Sequence, residues 1–138
     1  LLGFGPGTYA FEYARFQRPE NLTIISTNFG NMGNAHSEYL STLSESGIFG
    51  FIGFISLGIA IFYSAITLYF EWPEDDKEIR ILILSITLSL STYFFHGILN
   101  NFLDADKAAV PIWAMCSILI ALKLHLNKSK KETVNYLA

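Results

Sequence analysis

Three stretches of the chain are apolar at nearly every position, and clusters of charged or turn-forming residues separate them. From Gly47 to Phe70 there is no charged side chain at all. A bilayer's hydrocarbon core takes about 20 helical residues to cross, so the pattern predicts a first spanning helix over 47–70. Glu71-Trp72-Pro73 closes it, since tryptophan suits the membrane–water interface and proline cannot continue a helix. Residues 74–80 are dense in charge and belong outside the hydrocarbon. A second span is predicted over 81–99, with Ser and Thr able to bond neighbouring helices. A polar elbow over 100–107 leads to a third span over 108–124, which snorkelling of Lys123 lengthens. Pro111 suits that helix's first turn, and Asp104 and Asp106 are its candidate caps. Residues 127–138 read as a frayed tail. Residues 1–46 are rich in Gly, Asn and aromatic side chains and hold no membrane-length run. The fold class is therefore all-α: a polytopic membrane protein with three spans within 47–126, preceded by a loop region with short helices over 1–46.

Composition supports a membrane setting. Charged residues make up 15% of the chain, against about a quarter in soluble domains. A soluble chain of 138 residues would have too small a core to bury three such runs. The net charge of −3, with no basic stripe interleaved with aromatics, speaks against a nucleic-acid partner. The single cysteine, Cys116, can form neither an intrachain disulfide nor a thiolate cluster and reads as a small buried apolar residue. The chain begins at Leu1 with no basic leader segment, and the expectation is a C-terminal part of a longer protein.

Lys and Arg set orientation, because they are retained in the cytoplasm. With three spans, residues 74–80 and the tail share one side, which holds Lys77, Arg80, Lys123, Lys128, Lys130 and Lys131. Residues 1–46 and the elbow share the other, with Arg15, Arg18 and Lys107. The bias predicts a cytoplasmic C-terminus, with 1–46 and 100–107 facing outward together.

Candidate chemistry lies on that outward side. Gly3-Phe4-Gly5-Pro6-Gly7 precedes Thr8, a candidate cap, and a predicted helix from Tyr9 to Gln17. The cluster is either a loop whose bare amides approach a phosphate or a tight turn entering a helix. Tyr9, Tyr13, Phe16 and Gln17 share one helix face, as in a helix lying on a membrane surface. Arg15 and Arg18 beside it would touch lipid headgroups or clamp a pyrophosphate, which a guanidinium pairs two-pronged. In Asn34-Ala35-His36-Ser37-Glu38-Tyr39-Leu40, Asn34 is a good N-cap and would put His36 in the first turn of a helix running to Ser46, with Gly47 as its end or hinge. A neutral imidazole beside an anion-binding helix start is what a general base for a hydroxyl requires; the plain alternative is a surface histidine. Glu38 and Glu45 fall on another face, where water can serve them. His96, late in the second span, is by position a functional candidate, or a buried histidine satisfied by Asn100 or by backbone. Glu38, His96 and Asp104 complete the candidate substrate-binding set. His36, Glu38, Asp104 and Asp106 lack the spacing of a metal site, and no nucleophile elbow supports a hydrolase.

The order of these pieces resembles the O-antigen ligase and polymerase family. The resemblance rests on Gly3-Phe4-Gly5-Pro6-Gly7-Thr8-Tyr9, on Ala35-His36-Ser37-Glu38-Tyr39-Leu40 with Glu45-Ser46-Gly47-Ile48-Phe49-Gly50, and on Asn101-Phe102-Leu103-Asp104 leading to Pro111-Ile112-Trp113-Ala114. It covers essentially the whole chain, and the histidine segment is its most specific part. It implies the C-terminal portion of a type-C glycosyltransferase fold in the bacterial inner membrane, with a periplasmic loop before the last spans. It also implies transfer of a glycan from an undecaprenyl-pyrophosphate carrier to an acceptor hydroxyl, on lipid A–core in ligases or on another glycan in polymerases. By the resemblance His36 is the catalytic base; Gly3, Gly5 and Gly7 form the glycine cluster; Arg15 or Arg18 holds pyrophosphate; and no metal or other cofactor is needed. The family's other arginines have no counterpart here, so these residues alone are expected to be inactive. A non-catalytic membrane module, a transporter half or scaffold subunit, is the reading from another class.

Overall fold

The computed structural model describes residues 1–14, 20, 35–100 and 106–137. Among these, the regular elements are α-helices, and no strand occurs. They are α1 (Tyr9–Ala14), α2 (Glu38–Glu71), α3 (Lys77–His96) and α4 (Asp106–Leu137). Three helical spans are long and apolar enough to cross a membrane: Glu38–Glu71, Lys77–His96 and Lys107–Thr133. Only 17%, 17% and 22% of their most apolar windows are buried within the chain. Phe49, Phe70, Phe95 and Leu99 are among the large side chains left exposed. Helices apolar all round with so little internal cover need an apolar environment, and lipid or further helices supply one.

The chain divides into two compact units, Leu1–Leu57 with His96–Leu103, and Gly58–Phe95 with Asp104–Ala138. The second has a core of ordinary helical spacing. Ala65, Leu68 and Trp72 of α2, Ile83, Ile86, Leu90 and Tyr93 of α3, and Ile112, Cys116, Leu119 and Leu126 of α4 are buried. Phe62 and Phe94 meet edge to face at 5.4 Å, beside the buried Gly58. Cys116 is free and buried.

Several boundaries differ from the sequence expectation. The first span is the distal part of a longer helix, α2, which Gly47 breaks at φ 68° and ψ −165°. The second ends at His96 rather than at residue 99, and Gly97 opens a turn. Four of its hydroxyls are used within the helix itself. Thr87, Ser89, Ser91 and Thr92 donate to carbonyls four residues back, at 2.7–3.1 Å. Trp72, at the end of α2, is buried within the chain, donating from Nε1 to Asp76 Oδ2 at 3.2 Å and stacking on His125. Pro111 stands inside α4 rather than in its first turn. The expected frayed tail is helical to Leu137. No Gly or Pro follows Pro111, and Lys130 pairs with Glu71 at 2.7 Å while Lys128 pairs with Glu132 at 3.9 Å.

Candidate functional site

The first unit is organised around two breaks in helical structure. Gly47 is the hinge expected between a short helix and the first span, and its positive φ is a conformation open mainly to glycine. A break of this kind leaves the carbonyls of the preceding turn and the amides of the following one without helical partners. The N-terminal segment supplies them. Phe4 N donates to Ser44 O at 3.0 Å, Gly5 N donates to Glu45 O at 2.9 Å, and Ile48 N donates to Leu1 O at 3.1 Å. Gly3 makes the approach possible: a Cβ there would lie 2.5 Å from Gly47 N. The amides of Phe4 and Gly5 are thus committed within the fold, whereas Gly7 contributes no amide to this crossing.

At the start of α1, Thr8 stands at the expected cap position, its carbonyl accepting from Glu12 N at 3.0 Å, but its side chain does not cap the helix. The Thr8 hydroxyl turns back to donate to Gly5 O at 2.6 Å, and the Tyr9 amide donates to Glu45 Oε1 at 3.4 Å. Glu45, expected in water, is half-buried and serves the beginning of another helix. Tyr9 and Tyr13 stack at 5.5 Å with 13° between their planes, as their shared face requires. Burial, and then the neighbouring Tyr13, push the Tyr9 phenol above its usual pKa.

The start of α2 also differs from the expectation of an Asn34 cap. The cap is Ser37: its Oγ accepts from Leu40 N at 3.4 Å, and its carbonyl accepts from Ser41 N at 2.9 Å. Asn34 lies outside the described residues. The same Ser37 hydroxyl donates to Gly97 O at 3.4 Å, and Glu38 N donates to Gly97 O at 2.9 Å and to Asn100 O at 3.2 Å. The turn that follows α3 therefore closes on the first amide of α2. Ser37 and Glu38 are 3% and 5% exposed, so Glu38 is not the solvated carboxylate expected. A carboxylate in a helix's first turn is favoured by the helix dipole, by roughly 0.3–1 kcal/mol.

His36 stands just before the cap, not in the first turn. It is exposed, with φ 45°, the only described non-glycine residue with positive φ. Histidine tolerates that region better than most side chains, yet it remains a strained setting, worth about 1 kcal/mol or more. The 38–97 hydrogen bond brings the His36 and His96 segments together, since His96 directly precedes Gly97. His96 is the last residue of α3 and is exposed, not a buried histidine held by Asn100. Arg15, Arg18 and Asp104 lie outside the described residues. Among the described residues no three His, Cys, Asp or Glu side chains gather as metal ligands would.

Sequence reasoning missed Ser37, Gly97 and the Asn100 carbonyl. Ser37 did carry a signal, as a capping residue three positions before Leu40, and Gly97 another, as a glycine interrupting an apolar run. The fold defines a helical chain with three segments long and apolar enough to span a membrane. The chain matches no protein-family model, no curated protein and no solved structure.

Proposed function

We propose that this chain is part of an enzyme that moves a glycan from an undecaprenyl-pyrophosphate carrier to an acceptor hydroxyl at the periplasmic face of a bacterial inner membrane. His36 is the general base. The observation that carries the reading is the setting of His36: an exposed imidazole on left-handed backbone, directly before the capped start of a membrane-length helix. Strained residues of this kind persist where the surroundings over-determine them, and they collect at working sites.

In this reading the bond between the sugar and the carrier's pyrophosphate breaks as the bond to the acceptor oxygen forms. His36 takes the acceptor's proton. Negative charge grows on the departing pyrophosphate and is stabilised by the guanidinium of Arg15 or Arg18. Of the glycine cluster, Gly3 and Gly7 are the remaining candidates to offer an amide to phosphate, because the Gly5 amide is used by an α2 carbonyl. Glu38, His96 and Asp104 complete the substrate side of the proposal, with the type-C glycosyltransferase fold as its frame. Residues 1–46 and 100–107 face the periplasm, and the C-terminus is cytoplasmic, from the Lys/Arg bias. Transfer to a lipid A–core sugar is the first form of the reading, and polymerisation onto another glycan the second.

One observation favours a different reading. The glycine cluster is used to build the fold at the Gly47 break, as in a non-catalytic membrane module. A transfer assay on the full-length protein in membranes, with His36→Ala beside the wild type at equal abundance, separates the two. An enzyme loses transfer in that variant; a module with a surface histidine loses nothing.

A further inference from the structure

The second unit holds a cleft that glycan transfer does not use. It has a volume of about 410 Å3 and is lined by Tyr69, Glu74, Lys77, Arg80, Ile81 and Leu84, at the end of α2 and the start of α3. Tyr69 and Leu84 also border a second space of about 230 Å3, which continues past Ala65, Ile66 and Phe70. The two spaces share the wall made by Tyr69 and Leu84, so a charged mouth lies beside an apolar groove on two membrane-length helices. A polar head joined to a hydrocarbon tail has that shape.

The mouth's charges say which head. The Arg80 guanidinium lies over the Tyr69 ring at 4.6 Å, and its buried Nε has no hydrogen-bond partner. Among the described residues no carboxylate pairs with it. The nearby carboxylates have other tasks: Glu71 accepts from Lys130 Nζ at 2.7 Å, and Asp76 accepts from Trp72 Nε1 at 3.2 Å and from Ile79 N at 3.4 Å. Arg80 with Lys77 can therefore take the oxygens of a phosphate. A wholly anionic head is disfavoured, because residues 71–80 carry five carboxylates, Glu71, Glu74, Asp75, Asp76 and Glu78, against those two cations. Glu74, in the lining itself, suits an ammonium group with N–H donors.

We propose that this cleft binds one phospholipid of the phosphatidylethanolamine type, with its phosphate on Arg80 and Lys77, its ammonium on Glu74 and an acyl chain along Leu84, Ile66 and Phe70. The site is built from residues of the second unit alone and stands whether or not His36 is a base.

The test is lipid titration of the delipidated full-length protein in detergent, read as bound lipid by native mass spectrometry. Phosphatidylethanolamine should bind roughly tenfold tighter than phosphatidylcholine, which lacks N–H donors, and tighter than phosphatidylglycerol, which lacks the cation. Arg80→Gln should weaken it roughly tenfold, and Glu74→Gln should erase the preference over phosphatidylglycerol. Leu84→Trp, at an exposed position, should block the groove without disturbing the core. Circular dichroism and unfolding temperature, matched to wild type, identify the variants that are folded. Glycerophosphoethanolamine, the same head without chains, should not bind measurably. Equal binding of the three lipids, full binding by both Arg80→Gln and Leu84→Trp, or equal binding of the chainless head would each overturn the proposal, the last in favour of a free-phosphate site.

Discussion

The backbone amide of Glu38 donates to the carbonyl of Gly97 at 2.9 Å, so the start of α2 is completed by the turn after α3. Ser37 ties the same joint from its side chain, accepting from Leu40 N and donating to Gly97 O. His36 and His96 stand on either side of it. The placement of the candidate base is therefore a tertiary property, made by two segments that meet at a helix start.

That joint predicts a graded response at position 37. Ser37→Ala should cost about 1 kcal/mol, the usual value of a lost N-cap. Ser37→Thr should retain most of it. Ser37→Asp should fall below Thr, because a carboxylate keeps the acceptor for Leu40 but cannot donate to the Gly97 carbonyl. Thermal unfolding of the purified protein in one detergent gives the order; an alanine variant as stable as wild type would remove the cap from the account.

The crossing at Gly47 predicts that Gly3→Ala and Gly47→Ala are far more damaging than Gly7→Ala. A Cβ on Gly47 would lie 2.6 Å from Gly3 N, and a Cβ on Gly3 would lie 2.5 Å from Gly47 N, on backbone of positive φ in both cases. Backbone cannot move aside as a flexible side chain can, so each change should cost roughly 3 kcal/mol or more, strain and clash together. Gly7→Ala meets nothing within 4 Å and carries the φ penalty alone, about 1 kcal/mol. Folded-protein yield and unfolding temperature for the three variants check that ranking.

These two joints mark where sequence reading stops. The three apolar runs were legible because a membrane-length helix needs apolar content and length, which a sequence states outright. The hinge at Gly47 was legible too, as a glycine between a polar helix and an apolar run. The cap was not: Asn34 and Ser37 are both good capping residues, and what selects Ser37 is the arrival of Gly97 sixty positions away in the chain. The glycine cluster could be read as a turn, but not as a turn packed on Gly47, for the same reason. The helical tail was missed by arguing from its position at the end. Its freedom from Gly and Pro was the better guide, and Glu71, which pairs with its Lys130, is 59 positions distant.

The tail's attachment is itself open to test. Lys130→Glu would set two carboxylates together in place of the 2.7 Å pair with Glu71. Amide exchange beyond Leu126 should then speed up, while exchange in α2 and α3 stays as it was. Unchanged protection of the tail would mean that helix propensity alone holds it.

Topology has a direct measurement. In intact cells, on a Cys116→Ala background, single cysteines at Arg15 and Asp106 should react with an impermeant reagent and one at Lys130 should not, as the Lys/Arg distribution predicts. Labelling at 130 with protection at 106 would reverse the orientation and move His36 to the cytoplasmic side.

The central claim is that His36 works on substrate rather than on the fold, and its left-handed backbone makes that separable. His36→Gly should relieve the strain at φ 45° and leave the protein at least as stable as wild type, while removing the imidazole. The decisive measurement is lipid-linked donor consumed by the purified full-length protein, with EDTA present, for wild type, His36→Ala and His36→Gly, beside their unfolding temperatures. The account predicts an EDTA-indifferent wild type, a glycine variant that unfolds no lower than wild type, and both variants slowed by roughly a hundred- to ten-thousandfold. Full transfer by His36→Gly, or a wild type that stops when metal is removed, would contradict it.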